Sequence, residues 1–277
     1  MYLNQYITYL RNEGHPRGTI DCYKVDIIQM LNFIGKNEED ITTEDILDWK
    51  GSMTCASATK NRKIMSAKGY FGYLKNMLHV INSTPTEYVK GVKVKCKEKI
   101  PLKGDEIRSI IDACKNKRNK ALVMLLAATG LRIEEAVSLT YEKYINRINN
   151  VIVITGKGDK NRLIGLAPEV CEYIDDYIEN ERKGTTEYLF ESTQNSKVRP
   201  RAFLDTLKLT CKKAGLINWR DISPHWLRTT FATMQVENGT PLEVVQKQLG
   251  HSNISTTLRY AKIADSRSIE AMSIVNF

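Results

Sequence analysis

The chain has 277 residues, enough for one large domain or two ordinary ones, and 42% of them are hydrophobic, so sizeable cores can form. Its 41 Lys and Arg against 32 Asp and Glu leave a formal charge of +9, which favours a polyanionic partner. No run of about 18 apolar residues occurs, which excludes a membrane-spanning helix, and the six cysteines show neither C-x-x-C nor tight pairing, which excludes a disulfide frame and a cysteine zinc site.

In chain order, Leu3, Tyr6, Ile7 and Leu10 recur at helical spacing and predict a helix over residues 1–15, ended by Gly14. The opening residues carry no basic segment ahead of an apolar one, so no secretory signal is expected. Thr19 is the expected N-cap of a second helix, whose stripe runs from Ile20 to Ile34 and which stops at Gly35. Thr42 or Thr43 caps a short helix over 44–50. Thr59 opens a longer one, in which Ile64, Ala67, Phe71, Leu74 and Leu78 step by three and four. From Trp49 to Thr86 there is no Asp or Glu, while Lys50, Lys60, Arg62, Lys63, Lys68 and Lys75 are present. A solvated surface intersperses its signs more evenly, so residues 1–83 read as a helical bundle with a nucleic-acid-facing basic side. Residues 84–101 read as a basic linker. There Lys93 and Lys95 alternate with apolar residues, as in an extended connector along DNA phosphates or a lysine-guarded edge strand.

A third region, 102–277, starts with a helix through Ile107, Ile110 and Ile111. The mostly apolar run Ala121–Thr129 reads as a buried helix broken by Gly130, with Arg132 opening the next. Residues 144–166 read as a small antiparallel sheet, with Asn149-Asn150 as a two-residue turn and the β-branched run Val151–Ile154. Gly156-Lys157-Gly158 occupies the next turn; it lacks the P-loop spacing. Pro168 opens a helix to about 183, a polar loop follows, and Arg199 and Arg201 load the next helix with positive charge. His225 and Arg228, three apart, share one face of a helix that follows Ser223-Pro224. A helix over 241–249 is broken by Gly250, and residues 255–260 form a short helical segment ending in Tyr260. The tail 261–277 has an apolar side through Ile269, Met272, Ile274, Val275 and Phe277. The fold class expected is therefore mainly α with a small antiparallel sheet, in two domains. The cysteines read as reduced cytoplasmic thiols, each a small buried hydrophobe.

Four short blocks stand out in order: Thr129-Gly130-Leu131-Arg132-Ile133-Glu134-Glu135, Gly156-Lys157-Gly158, His225-Trp226-Leu227-Arg228, and Leu249-Gly250-His251 with Tyr260 nine positions on. Taken singly, Arg132 is a salt-bridge partner for Glu134 or Glu135, and Lys157 a solvated hairpin lysine with Lys160 as its neighbour. In this order and at these intervals they resemble the tyrosine recombinase (phage integrase) family, well over residues 100–262 and more loosely before. The layout is similar to the compact Xer recombinases, without the arm-type domain of lambda-like integrases.

The resemblance implies a core-binding helical domain followed by a catalytic domain. It also implies that Tyr260 attacks a DNA phosphodiester to give a 3′-phosphotyrosyl bond. A phenol with a pKa near 10 needs help. Arg132 and Arg228 would clamp the nonbridging oxygens, because a guanidinium fork binds phosphate bidentately and stays charged. His225 and His251 would donate hydrogen bonds, and His225 would assist the movement of the phenolic proton. Lys157, which occupies the matching place in Gly-Lys-Gly and has Lys160 as a nearby competitor, would protonate the leaving 5′ oxygen, and Glu135 would orient the pocket. No cofactor and no metal is expected. The partners implied are double-stranded DNA with inverted half-sites, three further copies of the chain in a tetramer on two sites, and an accessory DNA-bending protein, at the nucleoid. The apolar tail would dock on a neighbouring protomer. A type IB topoisomerase-like relaxer and a non-catalytic DNA-binding protein stay open as alternatives.

Overall fold

The computed structural model describes residues 2–94, 100–156, 161–251, 257, 258, 260, 261, 263 and 264. The chain divides into two compact units, Met1–Lys97 and Glu98–Phe277.

The first unit is built from α1 (Leu3–Asn12), α2 (Arg17–Ile34), a 3-10 turn at Glu38–Asp40, α3 (Thr43–Ser52) and α4 (Ser57–Asn76). Thr42 caps α3 in a full capping box with Asp45. Gly35 closes α2 in the left-handed region at φ 66°. Thr19 does not act as the cap of α2, and Thr59 does not open α4. The caps are Pro16 and Ala56, each three residues earlier, whose carbonyls accept from Ile20 and Lys60 at 3.1 and 3.0 Å. The core gathers Ile27, Met30, Ile46, Tyr70, Phe71 and Leu74, all essentially inaccessible.

The basic residues of this unit are not equivalent. Arg62 pairs with Asp26, a carboxylate 1% exposed that also accepts from Ser66 at 2.8 Å. Lys63 donates to Gln29 Oε1 at 2.6 Å and Lys50 to the Lys90 carbonyl at 2.8 Å. Lys60, Lys68 and Lys75 are half-buried along α4, Lys93 is exposed, and Lys95 lies outside the described residues. Replacing Arg62 by Met is expected to leave the buried Asp26 carboxylate unpaired and to cost about 1–3 kcal/mol. The comparison is Lys68→Met, which breaks no described hydrogen bond. Urea unfolding that moves equally for both variants would refute a structural role for Arg62.

The N-terminal end of the segment read as a linker is held to this unit. Thr86 and Val89 are buried, and the Asn61 side chain accepts from Val92 N–H at 2.7 Å and donates to its carbonyl at 2.9 Å. Residues 91–94 are neither helix nor strand.

The second unit runs α5 (Gly104–Ala113), α6 (Lys117–Thr129), α7 (Ile133–Val137), α8 (Tyr141–Ile145), β1 (Val151–Thr155), β2 (Asn161–Gly165), α9 (Pro168–Asn180), α10 (Pro200–Lys213), α11 (Pro224–Glu237) and α12 (Leu242–Leu249). Residues 257, 258, 260, 261, 263 and 264 are helical as well. Helix α6 is buried almost all round and packs against α5, α9 and α11, which makes it the centre of this unit. Ile100 and Leu102 are tied in by Trp226 Nε1 donating to the Ile100 carbonyl (2.8 Å) and Leu102 N–H donating to Thr230 Oγ (3.0 Å).

Strands β1 and β2 pair antiparallel with Ile152 opposite Ile164 and Ile154 opposite Arg162. Asn149 and Asn150 both take positive φ, 52° and 57°, as a two-residue hairpin turn requires. The strand expected before that turn is reduced to one bridge, Ile148 to Val151, because residues 141–145 are helical. Thr140 caps that helix, and Tyr144 drops into the core, its hydroxyl donating to Asp175 at 2.8 Å. The hairpin tip, 157–160, lies outside the described residues. The polar stretch after α9 is held by Glu191, whose carboxylate takes the backbone N–H groups of Lys183, Thr185 and Thr186.

Cys114, Cys171 and Cys211 are buried free thiols; burial pushes Cys114 up to about 11 and Cys211 up to about 12. Cys22 departs from the buried reading, since it is exposed on α2, away from that helix's apolar stripe; Cys55 is half-buried, and Cys96 lies outside the described residues. Among the described residues no helix is long and apolar enough to cross a membrane.

Candidate active site

The site forms where three helix ends meet. Helix α6 stops at Gly130, whose φ of 64° needs glycine. A Cβ there would also run into the Phe231 ring and the Leu249 side chain. The sharp turn delivers Arg132 to the N-cap of α7. Ser223 and Pro224 start α11, with Pro in its first turn, and this places exposed His225 and buried Arg228 one turn apart. Helix α12 ends at Gly250, at φ 65°, directly before His251.

The last carbonyls of a helix have no partner within it. At the end of α12 they are filled by arginines. The Gln248 carbonyl accepts from Arg162 Nε at 2.9 Å, that of Leu249 from Arg228 Nη2 at 2.6 Å, and that of Gly250 from Arg132 Nη2 at 3.3 Å. Three consecutive carbonyls therefore hold three guanidinium groups, at the end of the helix that carries partial negative charge. Arg228 reaches further, donating from Nη1 to the Gly130 carbonyl at 2.9 Å.

Glu135 binds the cluster together. One of its oxygens accepts from Arg132 Nη1 and Arg162 Nη1, both at 3.0 Å. The other accepts from Arg132 N–H at 2.8 Å and Arg162 Nη2 at 2.7 Å. Burial pushes this carboxyl up, but the Arg162 fork and the Arg132 backbone N–H outweigh it, and the group is held below its ordinary range. For Arg228, burial first and the neighbouring Arg132 second pull the guanidinium down to about 10, which leaves it charged at neutral pH.

His251 is half-buried, with Nδ1 3.0 Å from Thr257 Oγ. Its ring stacks on Tyr260, with centroids 6.2 Å apart and planes 22° apart. Tyr260 is fully buried against Phe231, Ala232, Val245 and Leu249.

Arg132, His225, Arg228 and His251 thus line one open cleft of about 1390 Å³, with Tyr260 packed beneath His251. Lys157 lies outside the described residues; Gly156, just before it, is at the rim. Arg199 and Arg201 do not line the cleft: Arg199 donates to Gln194 at 3.4 Å, and Arg201 pairs with Asp205 at 3.3 Å on the exposed start of α10. The tail residues from Ile269 on lie outside the described residues. Among the described residues no group of His, Cys, Asp or Glu could hold a metal ion.

Two charged cleft residues were not picked out from sequence. Arg162 shares the inward face of β2 with Ile164, and an inward arginine in a short strand signals a buried acid partner. Lys247, in the last turn of α12, carries no such signal.

Residues 101–267 match the phage integrase family. The chain is 31% identical over 282 residues to a tyrosine recombinase of Thermosipho africanus, covering 97% of this chain and 96% of that one. It is 29% identical over 278 residues to the tyrosine recombinase XerA of Pyrococcus horikoshii, covering 98% and 92%. Among solved structures, its fold is similar to XerH site-specific recombinase bound to a palindromic difH substrate, with a TM-score of 0.77 at 23% identity over 92% of this chain and 79% of that one. A lambda integrase dimer bound to a COC′ core site gives 0.74 at 18%, over 94% and 93%.

Proposed function

The chain belongs to the phage integrase family and is a tyrosine recombinase; from that premise we propose which of its residues carry the reaction and how the chain engages DNA. The observation that supports the assignment most is the seating of Arg132 and Arg228 on adjacent carbonyls at the end of α12, at the cleft beside His251 and Tyr260. A phosphodiester is anionic and repels a nucleophile, so transfer needs cations fixed before charge builds up. Both arginines have donors committed behind them, which fixes the forks without using every N–H.

Tyr260 Oη attacks phosphorus, forming the P–Oη bond as the P–O5′ bond breaks. The phenolic proton passes to His225 or His251, and Lys157 delivers a proton to the leaving 5′ oxygen. The product is a 3′-phosphotyrosyl link with a free 5′-hydroxyl. The ester energy is retained, so no ATP is consumed, and the arginines supply the positive charge at phosphorus. A 5′-hydroxyl from a second duplex then reverses the step and exchanges strands. Tyr260 is fully buried in its present packing, so attack requires the ring to leave it.

The first unit acts as a core-binding domain, with the α4 lysines facing phosphates and Arg62 largely committed to Asp26. The second unit is the catalytic domain, from residue 102 on. Two protomers occupy inverted half-sites and four form a synapse, tied by the tail 261–277, with an accessory protein bending the DNA at the nucleoid.

Covalent-adduct capture tests this reading. The protein is expressed in cells carrying a library of source DNA, adducts are trapped under denaturing conditions, and the attached ends are sequenced. Attachment at a few sites flanked by inverted half-sites is the expected result. Attachment scattered over all DNA would replace it with a topoisomerase-like relaxer.

A further inference from the structure

We infer that Arg162 is a positioning residue for the strand-transfer reaction, setting Arg132 and the end of α12 in register with the hairpin that carries Lys157. The inference rests on the reading that Arg132 and Arg228 clamp the scissile phosphate.

The Arg162 side chain is 10% exposed and commits three N–H groups. Nη1 and Nη2 bind both oxygens of Glu135, and Nε binds the Gln248 carbonyl. Such a fork is planar and cannot be reproduced by an ammonium group. Through Glu135 it fixes the backbone N–H and the guanidinium of Arg132. Through Gln248 it fixes the carbonyl next to those that seat Arg228 and Arg132. A Cβ on Gly250 would lie 3.3 Å from Arg162 Nη1, so the guanidinium also lies against the turn that leads to His251.

Its place in the chain gives the same answer. Arg162 pairs with Ile154 across the hairpin, on the second residue of the strand that leaves the tip. One side chain thus ties the hairpin base to α7 and to α12. Without the fork, Glu135 is a largely buried carboxylate with Arg132 as its remaining side-chain partner. The Arg132 guanidinium is then drawn toward Glu135 and away from the cleft. Misplacing a catalytic group by about 1 Å costs on the order of a hundredfold in rate.

The test uses the full-length protein and a nicked duplex cut from the DNA captured by wild-type protein in the adduct experiment. Arg162→Met and Arg162→Lys are compared with wild type for adduct formation at saturating protein and for affinity by anisotropy. The expected result is a rate lower by about ten- to a hundredfold with affinity within about threefold, in the lysine variant as well. The deficit should narrow as pH falls, since Glu135, without the fork that holds its carboxyl below the ordinary range, takes up a proton sooner and then no longer draws Arg132 away. Adding Glu135→Gln to Arg162→Met should narrow it, because the unpaired charge is gone.

Two outcomes would overturn the inference. One is wild-type rates in both single variants. The other is a deficit that is flat with pH, unaltered by Glu135→Gln and matched by an equal fall in folded fraction, which would make Arg162 a stabilising residue only. If wild-type protein captures no DNA, the phosphate-clamp reading itself has failed, which is a different result.

Discussion

Tyr260→Phe is expected to abolish covalent attachment to DNA, by a factor of about 10⁴ or more, while leaving DNA affinity unchanged. The phenyl ring keeps its packing against Phe231, Val245 and Leu249, so folding is nearly preserved. Loss of the hydroxyl costs about 1 kcal/mol. Labelled duplex followed on a denaturing gel reads the adduct, and anisotropy reads binding. Persistent attachment in the variant would move the nucleophile to another residue.

Arg228 is the second position where one atom group decides the outcome. Its guanidinium joins the Gly130 and Leu249 carbonyls, and so joins the end of α6 to the end of α12. Arg228→Ala should slow cleavage by about 10²–10³-fold, the usual loss for one preorganised charge-stabilising donor. It should also destabilise the second unit by about 1–3 kcal/mol through two unsatisfied carbonyls. Arg228→Lys should recover part of the stability and little of the rate, because one ammonium cannot span both carbonyls and still face a phosphate. Single-turnover adduct formation at saturating DNA, on samples shown to be folded by circular dichroism, separates the two effects. A lysine variant with wild-type rate would defeat the clamp assignment.

The pH behaviour follows from the same environment. Burial lowers the Arg228 pKa to about 10, so the folded state disfavours its charge. The associated destabilisation is complete below that value and is relieved only as pH rises through it. Between neutrality and about pH 9, Arg228 therefore imposes no pH dependence on the rate.

What could be read from sequence was what is local in the chain. The Asn149-Asn150 turn, the Thr42 cap and the glycine stops at Gly35, Gly130 and Gly250 each depend on a few adjacent residues. The convergence of Arg132, His225, Arg228 and His251 on one cleft was anticipated because short motifs carry them. What could not be read was pairing across the fold. Asp26 and Arg62 are 36 residues apart, and Glu135 and Arg162 are 27 apart. No periodicity links such positions, and the acid-free interval around Arg62 concealed that its partner comes from an earlier helix. The helix at 141–145 was missed because Tyr144 has strand propensity, whereas capping by Thr140 and burial of the ring decide the matter.

With Arg132, Arg228 and Tyr260 in the roles proposed above, the carbonyl cradle at residues 248–250 also sets when, during synthesis, the chain becomes able to break DNA. Arg132 and Arg162 emerge about a hundred residues before the carbonyls that seat them, and Tyr260 emerges later still. A ribosome-bound or prematurely terminated chain ending before α12 keeps helix α4, whose lysines are proposed to face phosphates. It has neither the carbonyls that seat the three arginines nor Tyr260. On that reading, strand breakage is expected to be confined to chains that extend past Tyr260, and a shorter fragment to occupy DNA without nicking it.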